Sequence, residues 1–219
     1  MKNGKLKVKG ILLDLDGTIV DSKEAYKEAI TTALRKMGQQ IVEEKMVTEI
    51  PKRLELNLPI EEILTDIDVQ KFLSIYLNAY YQATAVKAKV LPNISETLRK
   101  LSEKAKLALI TMRYVSKETV INELEKSGIA KYFQSIITAL DTNAPKPSPE
   151  ALIKCAMQLD VEMSDCVVVG DSVADIRAGK NAGIKTVAVL SGIFSRKELE
   201  REKPDLILES VNYLPDFIE

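Results

Sequence analysis

Apolar and polar positions along the chain follow two kinds of pattern. Ile11, Leu12, Leu13 and Leu15 make an almost unbroken apolar run, which reads as a strand buried on both faces. The run drives into Asp14 and Asp16, and Gly17 then releases the backbone. Beyond Ser22 the period turns helical: Ala25, Ala29, Ile30, Ala33, Leu34 and Met37 recur at helix spacing until Gly38, with Asp21 and Ser22 as N-cap residues. Further helices are expected at about 43–56, near 60–65 and at about 69–86, the last with Phe72, Leu73, Tyr76, Leu77 and Tyr80 on its apolar stripe. Pro51 should kink or delay the first of these, and Pro59 should open the second. Residues 22–89 therefore read as a separate all-helical unit, joined through short linkers near Val20 and Pro92.

From Pro92 onward helices alternate with short apolar runs. Helices are expected over 94–101, 115–126, 149–159 and 174–182, and strands over 107–111, 135–138, 166–170, 186–190 and 206–208. That alternation predicts an α/β fold, a doubly wound parallel sheet built from residues 1–21 and 90–219, with the helical unit inserted after the first strand. In open α/β sheets the ligand crevice lies outside the carboxyl ends of the strands. Asp14, Asp16, Thr111, Asp171 and the 143–149 loop are thereby gathered at one edge.

Composition narrows the function classes. The 219 residues suffice for one large domain or a core with a modest insertion. Formal charge is −1 with acids and bases interspersed, and no basic block or aromatic–basic interleaving suggests a nucleic-acid platform. Lys2, Lys5, Lys7 and Lys9 make the start basic, but the apolar stretch behind them stops at Asp14, too short for a signal peptide or membrane span. Cys155 and Cys166, in unlike settings, read as reduced structural thiols of a cytoplasmic protein. Histidine is absent, which removes Ser-His-Asp and Cys-His catalysis, imidazole zinc sites and His bases together. Acid–base work must fall to carboxylates, Lys, Tyr, Cys or water.

The candidate chemistry starts from the paired acids. Side chains on an extended chain repeat with period two, so Asp14 and Asp16 leave on the same side. Two acids sharing one exit repel unless a cation offsets them, and a hard ion such as Mg²⁺ takes carboxylate oxygens together with substrate phosphate. A turn accounts for Gly17 and Asp16, but not for Asp14, which interrupts the apolar run where burial without a partner is costly. In Gly170-Asp171-Ser172-Val173-Ala174-Asp175, a capping box on Ser172 accounts for Asp175 as readily as a site role does. Asp171, directly after three valines and a glycine, points at the crevice as a metal ligand would. Lys146 stands between Pro145 and Pro147, which should hold it extended and stiff before a helix entered through Ser148 as cap and Pro149 as first residue. A solvated surface lysine is the alternative. Thr111 is singled out only by its place at the crevice, since threonines are common at strand ends.

These residues permit phosphoryl transfer, with Asp14 as nucleophile and Asp16 as acid and base. Mg²⁺ would lie between Asp14, the Asp16 carbonyl and Asp171, and Thr111 and Lys146 would hold the remaining phosphate oxygens. Lys52, Arg53 and Arg113 are candidates to read the substrate's other end, or else basic residues on a solvated face.

Asp14-Leu-Asp-Gly-Thr-Ile-Val-Asp-Ser, the strand ending at Thr111, Lys146-Pro-Ser-Pro-Glu and Gly170-Asp-Ser-Val-Ala-Asp resemble the four ordered motifs of the haloacid dehalogenase superfamily. The chain is similar to its phosphatase branch, in which a helical cap follows the first motif, as in phosphoglycolate phosphatases and β-phosphoglucomutase-like hydrolases. The resemblance implies a Rossmann-like core of residues 1–21 and 90–219 with a helical cap at 22–89. It implies Asp14 as nucleophile, Asp16 as acid/base, Thr111 and Lys146 on the phosphate, Asp171 on Mg²⁺, and Asp175 as an accessory acid near the metal. The implied partner is a small soluble phosphate ester rather than nucleic acid or membrane, acted on by a monomer or small homo-oligomer. Met112 departs from the usual Asn or Ser, Pro145 from the usual Gly, and Ile50-Pro-Lys-Arg-Leu replaces a glycine-bearing cap loop. A phosphosugar mutase shares the motifs. A 2-haloacid dehalogenase shares the fold but has no acid at the position of Asp16. A non-enzymatic phospho-Asp signalling module would be shorter, without the helical insertion, and phosphorylated after its third strand.

Overall fold

The computed structural model describes residues 5–39 and 42–219. Lys2, counted above in the basic start, lies outside them. The first strand, β1 (Gly10–Asp14), is buried at every position and so needs neighbours on both edges and cover on both faces. It has them in a six-stranded sheet with β4 (Lys106–Ile110), β5 (Phe133–Ile137), β6 (Cys166–Gly170), β7 (Lys185–Val189) and β8 (Leu206–Leu208). The order is β5-β4-β1-β6-β7-β8, and every adjacent pair is parallel. The winding runs outward from β1 to β5, then reverses to β6 on the other side of β1. A crevice opens at such a reversal, outside the strand ends. Asp14 closes β1 there, and Asp171 follows β6. Two short strands, β2 (Val20–Asp21) and β3 (Lys89–Val90), pair separately.

The chain divides into two compact units, one of residues up to Val20 and from Val90 to Glu219, the other Asp21–Lys89. In the sheet unit, α6 (Glu150–Leu159) lays Leu152, Cys155 and Leu159 on Leu12, Ile110 and Val168. Burial pushes the Cys155 thiol up to about 12 and the Cys166 thiol to about 11, so both stay protonated and inert. Helix α4 (Ile94–Ser102) meets the C-terminal 3-10 segment Val211–Asp216, where Thr97 Oγ1 donates to Asn212 Oδ1 at 2.7 Å. Among the described residues no helix is long and apolar enough to cross a membrane.

The helical unit consists of α1 (Lys23–Lys36), α2 (Glu44–Glu55) and α3 (Val69–Lys87). Phe72, Tyr76 and Tyr80 of α3 stack ring on ring at 5.9 and 6.1 Å, and Tyr80 stacks on Tyr26 of α1 at 5.1 Å. Buried Ala25, Ala29 and Ala33 leave room for that aromatic row.

Several local expectations need correction. Residues 60–65 form one turn, with Leu64 N donating to Ile60 O at 3.0 Å, instead of a helix. Asp66, at φ +59°, turns left-handed directly behind it, and one turn cannot recover the cost of helix nucleation. Pro51 does not delay α2, which begins at Glu44 and continues through the proline to Glu55. Leu77, placed on the apolar stripe of α3, is 43% exposed. Ser22 occupies the N-cap position of α1 without a side-chain capping bond, and Lys23 N donates to Asp21 Oδ1 at 3.1 Å instead. The Lys146 segment is a turn, closed by Ser148 N on Pro145 O at 2.9 Å, not an extended stretch, and α6 begins one residue later than Pro149. The helix α8 (Arg196–Arg201) is absent from the expected elements, although Ser195 and Glu198 carry a capping-box signature in the sequence and form both of its bonds.

Helix α7 (Val173–Asn181) packs on β6 and β7 through Gly179, where an added Cβ would overlap the side chains of Val168 and Thr186. Gly179→Ala should therefore cost about 3 kcal/mol, the upper end for overpacking, of which helix propensity returns about 1 kcal/mol, a net loss of about 2 kcal/mol. The denaturant midpoint of the variant checks this; an unchanged midpoint would show that α7 can move away from the sheet freely.

Candidate active site

At the carboxyl edge of the sheet, Lys146 reaches in from the loop after β5. Its Nζ lies 2.6 Å from Asp14 Oδ1 and 2.6 Å from Asp175 Oδ1, with the lysine side chain 2% exposed. Asp14 ends β1, and Asp175 sits in the first turn of α7. Asp175 also completes the capping box, its Oδ2 accepting from Ser172 Oγ at 2.7 Å and from Ser172 N at 3.2 Å. The two readings of Asp175 thus coexist, because a carboxylate has two oxygens to offer. Burial pushes the Asp14 carboxyl well above its usual range; Lys146 opposes that, and the nearby Asp175 and Asp16 carboxylates add to it.

Asp171 is seated by backbone that comes very close. Thr18 Oγ1 donates to its Oδ1 at 3.2 Å. A Cβ on Gly17 or on Gly192 would overlap the Asp171 carboxylate, so only glycine lets both loops approach it. Gly17 also has φ +86°, and Ser191 Oγ donates to its carbonyl at 2.6 Å, tying the β7 exit loop to the β1 exit loop. Asp14, Asp171 and Asp175, all buried, bring ligand oxygens within 4.8 Å of one another. Three hard oxygen donors against one ammonium leave net negative charge in a dry place, which suits a small divalent cation such as Mg²⁺. The residues present fit such an ion.

Asp16 does not join this cluster through its carboxylate, which Arg113 holds two-pronged: Nε donates to Oδ2 at 2.7 Å and Nη2 to Oδ1 at 2.6 Å. The third arm of the guanidinium, Nη1, donates to Glu123 Oε2 at 2.6 Å. Arg113 is buried, and it stands beside Asp16 instead of extending outward. Thr111, just beyond β4, is buried, and its Oγ1 accepts from Arg113 N at 3.2 Å. Lys52 and Arg53 lie on α2 in the helical unit. There Lys52 is 3.8 Å from Glu49, while Arg53 donates to Pro59 O at 2.7 Å and Glu62 at 2.8 Å.

The fold therefore draws Asp14, Asp171, Asp175 and Lys146 into one group, with Asp16, Arg113 and Thr111 linked beside it. Sequence reasoning passed over Thr18, Glu123, Ser191 and Gly192. Ser191 and Gly192 could have been found by applying the strand-end rule to β7 as it was to β1 and β6. Nothing in the sequence pairs Glu123 with Arg113.

The sequence profile of the haloacid dehalogenase-like hydrolases matches residues 11–189. The chain is 32% identical to a phosphoglycolate phosphatase of Aquifex aeolicus, over 90% of this chain and 91% of the relative. It is 29% identical to the pyrophosphatase PpaX of Bacillus velezensis, over 95% of each. Its fold superposes on that of a hydrolase from Pseudomonas syringae with a TM-score of 0.75 at 24% identity, covering 96% of this chain and all of the other. The chain belongs to the haloacid dehalogenase-like hydrolase family and is a phosphatase-type enzyme of that family.

Two stability measurements test the buried cluster in metal-free protein. Lys146→Ala leaves buried carboxylates without their ammonium and should cost about 3–5 kcal/mol at neutral pH, less in acid where Asp14 is protonated. A pKa raised on folding contributes stability that is present below the ordinary carboxylate range and lost as pH rises through the elevated value. Urea midpoints of the wild type should accordingly include a decline with rising pH that Asp14→Asn removes; identical pH profiles for the two would refute the cluster's electrostatics.

Proposed function

We propose that this chain is a Mg²⁺-dependent phosphatase that hydrolyses a small soluble phosphate monoester through an aspartyl-phosphate on Asp14. The observation that carries the reading is the buried lysine at 2.6 Å from the carboxylate that ends the central strand, with two further acids within reach and Asp16 held apart from them. Asp14 attacks phosphorus, and Asp16 gives its proton to the departing ester oxygen. Asp16 then takes a proton from the water that releases phosphate from Asp14. Lys146 and the Thr111 hydroxyl hold the non-bridging oxygens, so that charge building on them meets preorganised donors. Asp14, the Asp16 carbonyl and Asp171 would hold Mg²⁺, with Asp175 as an accessory acid; the ion supplies positive charge against the phosphate and the crowded carboxylates.

Lys146 already pairs with Asp14, so an incoming phosphate would exchange oxygens with Asp14 around an ammonium that is in place beforehand. We assign residues 22–89 the role of the cap domain. Phosphoglycolate and pyrophosphate, taken from the names of the relatives, are the first substrates to try, together with sugar phosphates.

Hydrolysis of a panel of phosphate esters with Mg²⁺, and with chelator in its place, is the direct test. Release of phosphate from at least one ester, abolished by chelator, is expected; halide release from a chloroacid without phosphate release would overturn the reading. Asp14→Asn should abolish turnover while the protein still unfolds cooperatively, and Asp16→Asn should lower kcat on alkyl esters by about 10²–10⁴-fold. An active Asp14→Asn enzyme would remove Asp14 as nucleophile.

A further inference from the structure

Arg113 places one buried guanidinium between two carboxylates. Its Nε and Nη2 grip Asp16 at 2.7 and 2.6 Å, and its Nη1 grips Glu123 at 2.6 Å. The Arg113 side chain is 3% exposed, that of Asp16 13% and that of Glu123 21%. A guanidinium is a rigid plane, so anchoring Nη1 on one side fixes the direction in which the Nε–Nη2 edge faces. Glu123 is a firm anchor because it stands on α5 (Lys117–Lys126), a helix capped by Ser116 on Thr119 N at 3.2 Å and seated through buried Val120 and Leu124. The other end of Arg113 is fixed as well. Its backbone N donates to Thr111 Oγ1 at 3.2 Å, and its carbonyl accepts from Ala139 N at 3.2 Å. With the main chain and Nη1 both held, the place offered to the Asp16 carboxylate is set.

We propose that Glu123 is a positioning residue for the acid–base step: acting through Arg113, it holds Asp16 where its proton meets the leaving oxygen. This deepens the function proposed above and rests on it. In the first half-reaction an Asp14 oxygen bonds to phosphorus as the bond from phosphorus to the ester oxygen breaks, and the Asp16 proton passes to that oxygen. In the second, water oxygen bonds to phosphorus, its proton passes to Asp16, and Asp14 departs as a carboxylate. Arg113 takes one lone pair on each Asp16 oxygen, so the proton of either transfer is carried on a remaining lone pair, and both transfers start from the oxygen positions that the clamp sets.

The test uses the leaving group, because a basic alkoxide needs the proton and 4-nitrophenolate departs without it. Steady-state kcat/KM is measured for Glu123→Ala, Glu123→Gln and Asp16→Asn on the best alkyl phosphate of the panel and on 4-nitrophenyl phosphate. This ratio reports the steps up to release of the alcohol and leaves out the hydrolysis of the aspartyl-phosphate common to all esters. Glu123→Ala should lose about 10- to 100-fold in kcat/KM on the alkyl ester, with a far smaller loss in kcat/KM on the aryl ester. Glu123→Gln still accepts from Nη1 and should recover most of the alkyl activity. Should Glu123→Ala not fold, Arg113→Lys, which cannot span both carboxylates, takes its place with the same split expected. Alkyl activity at the wild-type level, equal losses on both esters, or a Gln variant as impaired as the Ala variant would each overturn the proposal. Asp16→Asn showing no leaving-group dependence would bring down the role of Asp16 and this inference with it. Dependence in Asp16→Asn but not in Glu123→Ala overturns the inference alone.

Discussion

One ammonium group, buried between two carboxylates, is the contact on which the carboxyl edge of the sheet depends. Lys146 reaches Asp14 across 132 positions of chain and Asp175 across 29, so one side chain joins the central strand, the loop after β5 and helix α7. Taking three charged groups out of water is expensive, and their mutual attraction offsets that cost only when the geometry is close and the other oxygens are satisfied. Here the distances are 2.6 Å, and the second oxygen of Asp175 is engaged by the helix cap. The arrangement is therefore specific: a shift of β1 against β6, or of α7 along the sheet, would separate charges that have no solvent to fall back on.

The acids are accommodated because the surrounding backbone lacks side chains at the points of closest approach. Gly17 and Gly192 border the Asp171 carboxylate, and Gly170 borders that of Asp175, with no space for a Cβ at any of the three. Two loops from different strand ends can thus enclose one carboxylate, joined by the Ser191 hydrogen bond to Gly17. The lysine and two of the clustered acids form one group, while Arg113 draws the Asp16 carboxylate into another. Two acids two positions apart at the end of one strand thereby acquire unlike surroundings, which is what unlike chemical roles require.

Much of this was legible in the chain itself. The apolar run 11–13, the abrupt acids behind it and the alternation of helix and strand after Pro92 are local signals, and local signals define elements and their order. From the order alone, the strand-end rule brings Asp14, Asp171 and the Lys146 loop to one edge, where the structure has them. Failures occurred where local preference was overruled or too weak. The turn at 60–65 is held by buried Ile60 and Leu64 without a helix around it, and α2 carries Pro51 through its interior with that residue buried. Leu77 lies next to the apolar face of α3 by period, yet remains exposed.

By itself, then, the sequence determined a doubly wound parallel sheet, an inserted helical segment and an acid pair at the end of the first strand. Periodicity and strand order carry that information without reference to distant residues. Only the tertiary structure decided which charges pair: Lys146 with both Asp14 and Asp175, Arg113 with Asp16 and Glu123, and backbone glycines around Asp171. The physical reason is that a repeat names the face on which a side chain emerges. What stands opposite that face depends on loops whose course no repeat describes, and at ion-pair distances a displacement of about one ångström changes the partner.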